Sequence, residues 1–203
     1  GLAGAFGTVT LGSSVLSPSF YARAATDPST TNNYGIAKFA GATRLDNSIN
    51  YTSPNFAGFT VRASMVQKDD NGTAGKGATD ISVSYVNGPL TVGASSSDNG
   101  IDSGSYVGAA YDLGMAKLFV NSVDVAQATA AASGTEKYTS YGVSAPFGAV
   151  TLQADLRSRK DADADTYVVS AQYALSKRTS LTAYTAKTEG AKSAIGAGVR
   201  HNF

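Results

Sequence analysis

From end to end this chain alternates apolar and polar residues with a period of two, and nowhere does it hold about 18 consecutive apolar residues. In Phe59-Thr60-Val61-Arg62-Ala63-Ser64-Met65 every odd position is apolar and every even one polar. Val150 to Arg157, Ile81 to Tyr85 and Ile195 to Arg200 repeat the pattern, and Tyr167 to Leu175 follows it more loosely. A period of two is that of a strand, whose side chains point alternately to opposite faces. No segment offers an apolar helical face longer than about two turns. Charged residues make up only 15% of the 203 residues, against about a quarter in a typical soluble domain. A chain this poor in charge and without a transmembrane helix must spread its apolar residues thinly, and alternation does that.

The punctuation between strands constrains the fold further. Tight turn signals fall at Asn55-Phe56-Ala57-Gly58, Asn87-Gly88-Pro89, Asp112-Leu113-Gly114, Pro146-Phe147-Gly148 and Ser176-Lys177-Arg178. Longer polar stretches lie between them: Lys68 to Thr79, Ser96 to Ser103, Ala126 to Lys137, Arg159 to Ala164 and Lys187 to Lys192. Short and long connections therefore alternate. A soluble sandwich has no reason to keep that order, whereas a transmembrane antiparallel β-barrel has short turns on one rim and long loops on the other. About twelve strands are expected, in hairpin units of roughly 30 residues.

Parity assigns the faces. Val9, Leu11, Ile49, Tyr51, Phe59, Val61, Ala63, Val83, Tyr85, Val107, Ala109, Tyr111, Val150, Leu152, Ala154, Val169, Ala171, Tyr173, Ile195, Ala197 and Val199 share one face. Thr8, Thr10, Asn50, Thr60, Arg62, Ser64, Ser82, Ser84, Gln153, Asp155, Arg157, Ser170, Gln172 and Arg200 share the other. An apolar exterior around a polar interior inverts a soluble barrel. The plainer alternative is a sheet with one solvated face, but no second layer is encoded to cover the apolar side.

From about Leu16 to Asn47 the alternation stops, and the segment carries Phe20, Tyr21, Tyr34 and Phe39 together with Arg23, Asp27, Lys38, Arg44 and Asp46. Structureless stretches this long are functional or disordered. Aromatics mixed with both signs of charge fit a loop folded into a polar lumen; the alternative is a mobile external loop. Arg62, Arg157, Arg200 and Lys117 point inward on parity, against Asp112 and Asp155. Charges in a water-filled channel stay solvated, and a surplus of positive sign there raises the local anion concentration. Alternatively these charges pair and brace the wall.

Other chemistry finds little support. The one histidine, His201, falls on the apolar face near the terminus, so no Ser-His-Asp or His-metal arrangement is proposed. Asp161, Asp163 and Asp165 are spaced like the start of a calcium loop, but Thr166 and Gln172 stand where its glycine and glutamate belong, so this reads as an acidic external loop that bridges divalent cations weakly. No cofactor or resident metal is expected. A net charge of +1 argues against a nucleic-acid partner, and the absence of cysteine excludes a disulfide framework.

Specific motifs point to a family. Phe6-Gly7-Thr8-Val9-Thr10-Leu11-Gly12, a long loop, and then Asp46-Asn47-Ser48-Ile49-Asn50-Tyr51-Thr52-Ser53-Pro54-Asn55-Phe56-Ala57-Gly58-Phe59 resemble the trimeric general porins of Gram-negative bacteria, in their β-proteobacterial branch. Ser176-Lys177-Arg178-Thr179 resembles the last periplasmic turn of that branch, and Gly198-Val199-Arg200-His201-Asn202-Phe203 its terminal strand. The resemblance implies a barrel of sixteen strands, of which this chain carries the C-terminal part as one domain (residues 1–203), with Gly1 internal and roughly four strands preceding it. It implies an outer-membrane location, a homotrimer when full length, contact with outer-membrane lipid and lipopolysaccharide, and Phe203 as the residue read by the barrel-assembly machinery. It also implies that residues 16–47 form the inward loop that narrows the pore. The acidic tip found in many members is missing from this loop. The expected function is passive diffusion of small hydrophilic solutes and ions, favouring small anions. A complete smaller barrel acting as an enzyme or secretion translocator is the alternative, and an adhesive or structural β-protein is a third reading.

Overall fold

The computed structural model describes residues 1–27, 43–67, 77–98, 102–129, 132–160 and 164–202. Its elements in chain order are β1 (Leu2–Gly4), β2 (Gly7–Gly12), β3 (Val15–Leu16), α1 (Pro18–Thr26), β4 (Arg44–Leu45), β5 (Ser48–Thr52), β6 (Phe59–Val66), β7 (Ala78–Asn87), β8 (Leu90–Asp98), β9 (Ser103–Asp112), β10 (Lys117–Thr129), β11 (Ala132–Phe147), β12 (Val150–Arg159), β13 (Thr166–Ala174), β14 (Thr179–Thr188) and β15 (Ala194–His201). Strands β3 and β4 pair with each other, and all the others form one 13-stranded sheet in which every strand lies beside its neighbours in the order β1-β2-β5-β6 and on to β15. Every pairing is antiparallel. The short β1, of three residues, accounts for the excess over the dozen strands expected.

Cross-strand register sorts the two faces as the alternation does. Phe59 lies opposite Tyr85 and Val61 opposite Val83, while Arg62 lies opposite Ser82 on the other face. Leu152 pairs with Ala171, and Gln153 with Ser170. Burial runs opposite to that of a soluble core: Ser64, Ser82, Ser140, Gln153 and Ser170 are buried, whereas Val107, Leu152, Val169 and Ile195 are exposed. Helix α1 lies on the polar face, against β7, β8 and β9 above all. Gln153, Ser170 and Thr182 are buried on β12 to β14, well beyond those strands, so the sheet curls toward its polar side.

The connections follow the alternation of short and long. The tight turns lie between β5 and β6, β7 and β8, β9 and β10, β11 and β12, and β13 and β14. On the apolar face beside them sit Tyr51, Phe59, Tyr85, Tyr111, Phe147 and Tyr173, an aromatic girdle along the short-turn rim. Two long connections differ from expectation: Ser96 to Asp98 belong to β8, which leaves four residues before β9. Ala126 to Lys137 is largely strand, with Ala126 paired to Thr135 and Asp124 to Lys137. A low apolar content does not break a strand, and the alanines, serines and threonines there present no proline to interrupt the ladder. Lys68 to Thr79 falls mostly outside the described residues, as do Asp161 and Asp163. Strands β1 and β15 are the two edges of the sheet and do not pair with each other.

Candidate functional site

Helix α1 begins where the sequence favours a helix start. Ser17 caps it, accepting from the Phe20 amide at 3.1 Å, and Pro18 follows in the first turn, where its missing N–H costs nothing. The stripe that α1 buries is Ser19, Ala22, Arg23 and Thr26, with Asp27 buried at its C-terminal cap. These residues have helical spacing but small or polar side chains, because the surface they meet is polar. Asp80 on β7 takes two hydrogen bonds from Ser19, from the amide at 2.9 Å and the hydroxyl at 2.6 Å. A carboxylate at a helix N-terminus also complements the helix dipole. At the other end Thr26 Oγ1 and the Tyr106 hydroxyl are 2.6 Å apart, and Asn121 Nδ2 donates to Asp27 at 3.3 Å.

The wall is hollowed to receive the helix. A Cβ on Gly93 would stand 2.9 Å from the Ala22 carbonyl oxygen, and one on Gly108 would stand 2.7 Å from Thr26 Oγ1. Both glycines face inward, on β8 and β9, so their missing side chains bring α1 down onto the sheet. Beneath and beyond it the inward face turns apolar: Tyr106, Val123, Val125 and Tyr138 cluster with Ala22. One inward row runs across the sheet from Arg62 through Ser82, Ser95, Tyr106, Val123 and Tyr138 to Arg159.

The sequence-predicted charges fall into distinct settings. Arg23, Asp27, Asp155 and Arg157 are buried between helix and wall or within the wall. Burial lowers the Arg23 pKa, while Tyr138, Tyr106, Asp27 and Asp80 push it back up; starting from an arginine's value, the group stays cationic. The Arg157 guanidinium lies 5.1 Å from the centre of the Tyr138 ring. Arg62 is only half-buried, its guanidinium carbon 4.4 Å from the centre of the Tyr21 ring. Arg44 and Asp46 are exposed and brace the start of the loop: Arg44 donates to the Ser14 carbonyl at 2.8 Å, and Asp46 accepts from the Ser14 amide at 2.6 Å. Lys117 and Arg200 face inward near the short-turn rim, Lys117 opposite Asp112 and Arg200 opposite Ser180. Lys38 and Phe203 lie outside the described residues. His201 faces outward, within 2.9 Å of Thr179 Oγ1.

Parity alone could have found Asp80 and Glu136, since both stand at inward positions. Glu136 pairs with Arg159 at 3.1 Å. Tyr106, Asn121 and Tyr138 could be recognised only once the helix was known to cover them.

No curated protein sequence matches the chain. Among solved structures it is similar to an anion-selective porin from Comamonas acidovorans, at 26% identity and a TM-score of 0.72, covering 99% of this chain and 76% of that one. A triple mutant of Rhodopseudomonas blastica porin is similar at 20% identity and a TM-score of 0.63, covering 77% of this chain and 55% of that one. Another mutant of the Rh. blastica porin is 17% identical with a TM-score of 0.73, covering 96% and 73% respectively. The Gram-negative porin family model matches residues 1–193, and the chain belongs to that family.

Proposed function

We propose that this chain builds the wall of a water-filled outer-membrane channel for small hydrophilic solutes and ions, that residues 16–47 narrow it, and that anions pass more readily than cations. The observation that carries the reading is the docking of α1 on the polar face, where it occupies space that would otherwise be lumen. Family and fold indicate a channel rather than an enzyme. Unpaired strand edges are not tolerated in hydrocarbon, so a working channel has both β1 and β15 paired. The assembly proposed is a homotrimer in outer-membrane lipid and lipopolysaccharide, with Phe203 as the signal to the assembly machinery.

Anion preference is set by the position of charges more than by their number. Arg23 lies near Asp27 and Asp80, Arg157 near Glu136, and Arg159 pairs with Glu136, whereas Arg62 stands at the accessible edge of the helix. The similar porin from Comamonas acidovorans is described as anion-selective, which supports the same sign here. Reversal potentials across planar bilayers under a potassium chloride gradient are expected to show chloride preference that shrinks as salt rises. Arg62→Glu changes the local charge by two units. At about 5 Å in a water-like dielectric this is roughly 1–2 kcal/mol, or about five- to thirtyfold in the permeability ratio toward potassium. A wild-type channel that prefers potassium overturns the anion reading.

Sidedness is testable because the chain has no cysteine. With the short turns periplasmic and the long loops outside, intact cells treated with a maleimide on a polymer too large for the channel should label Lys160→Cys and spare Asn87→Cys. The opposite pattern would invert the topology.

A further inference from the structure

Among the described residues, the pair formed by Tyr21 and Arg62 combines a stacked guanidinium with the absence of an acidic partner. Arg62 comes from β6 and Tyr21 from the surface of α1, so the pair spans the junction between wall and helix. The described residues place no aspartate or glutamate within ion-pairing distance of Arg62; its polar contact is a long one, 3.4 Å, to Ser84 Oγ. The neighbouring inward groups bond to one another: Ser64 Oγ donates to Asn50 at 2.6 Å, and Asn50 donates to Ser48 Oγ at 2.9 Å. Tyr21 is 39% exposed, so the ring is reachable from the passage.

We infer that Tyr21 and Arg62 form a binding subsite for small organic carboxylates, with the ring holding the guanidinium so that its N–H fork is offered to the solute. The inference rests on the reading of this face as the wall of the passage. A guanidinium is flat, carries five N–H donors in a fixed fork and stacks on aromatic rings. Stacking on Tyr21 removes part of the rotamer freedom that a free arginine loses on binding. A carboxylate presents two coplanar oxygens that accept two parallel hydrogen bonds from that fork, whereas chloride is a single spherical acceptor that does not match its two-pronged geometry. One positive charge among neutral hydroxyls and amides suits a monoanion. The Tyr21 ring also supplies apolar surface beside the anion for the carbon substituent of an organic acid.

Bi-ionic potentials in planar bilayers, with potassium acetate on one side and potassium chloride on the other, measure the preference directly. The wild-type acetate-to-chloride permeability ratio is expected to exceed the ratio of their mobilities in free solution. Tyr21→Leu removes the ring and should lower the ratio about two- to fivefold, the range for an exposed cation–π contact. Arg62→Lys keeps the charge and loses the fork, so it should lower the ratio as well, and Tyr21→Phe, which restores the ring, should recover it. A general loss of positive charge would lower both anions together and leave their ratio in place. A wild-type ratio at the free-solution value, or one unmoved by both Tyr21→Leu and Arg62→Lys, overturns the subsite. A channel that prefers potassium overall yet still favours acetate over chloride would sink the anion reading and leave the subsite standing.

Discussion

Asp80→Ala is expected to loosen α1 and make the channel conduct unevenly. The mutation removes the acceptor for both the Ser19 amide and the Ser19 hydroxyl, which are buried there. Hydrogen bonds to a charged group contribute about 1.5–3 kcal/mol, so the ratio of docked to undocked helix should fall roughly ten- to 150-fold. Thr26 with Tyr106 and Asn121 with Asp27 still anchor the C-terminal end. Single-channel records should then show larger mean steps, a broader distribution and more open-channel noise than wild type, while Asp80→Asn, which keeps an acceptor oxygen, should fall between. Gly93→Val attacks the same contact from the wall, by placing methyl groups where the Ala22 carbonyl lies. A conductance histogram identical to wild type in both Asp80→Ala and Gly93→Val would show that the helix does not limit the passage.

The second large effect concerns the outer surface. Leu152→Lys puts a cation in the middle of the lipid-facing band of β12 and should destabilise the barrel by about 2–4 kcal/mol. Its control is Gln172→Lys on the adjacent β13, where the side chain faces inward and its bond to Ser180 Oγ is 3.0 Å. Loss of that one bond costs about 1 kcal/mol, and the ammonium reaches water in the lumen. Urea unfolding in lipid vesicles separates the two, and equal shifts would mean that the faces are assigned the wrong way round.

The sheet was legible because a period of two survives any amount of compositional noise. The register between Phe59 and Tyr85, or Leu152 and Ala171, needs only the alternation and the turn that closes each hairpin. Helix α1 was not legible, and the reason is physical. Periodicity methods look for an apolar stripe, but α1 rests on a hydroxyl- and carboxylate-bearing wall, so its buried stripe reads Ser19, Ala22, Arg23, Thr26. Its start was marked all the same, by Ser17 followed by Pro18. The converse error affects the wall. Val123, Val125 and Tyr138 stand at inward positions because the helix dries that part of the face, and no strand pattern encodes the presence of a lid from elsewhere in the chain.

The candidate site was legible in its residue types and not in their roles. Arg23, Arg62 and Arg157 carry the same charge, and nothing in their immediate sequence tells a braced arginine from an accessible one. Burial separates them, since Arg23 and Arg157 lie in the braced interior and Arg62 at the rim of the helix. That distinction depends on how α1 crosses the strands, a long-range property. Residues Ala126 to Lys137 show the opposite limit: their polar composition suggested a loop, yet β-ladder hydrogen bonds do not require apolar side chains.

The outward apolar band does not have one height all round. On β13 it runs from Tyr173 to Tyr167, six steps or roughly 20 Å along the strand. On β7 it runs only from Tyr85 to Ile81, about 14 Å, before Thr79. Strands β8 to β10 repeat the early change, with Ser96, Ser105 and Ser122 facing outward, and Asp124, opposite Ser105, pairs with Lys137 at 2.7 Å. A bilayer of uniform thickness cannot match both sides. The barrel therefore tilts, or the lipid annulus thins beside β7 to β10, each at fractions of a kcal/mol per ångström. The surrounding membrane thus meets this protein as a wedge rather than a cylinder, and lipids of different chain length partition to its two sides.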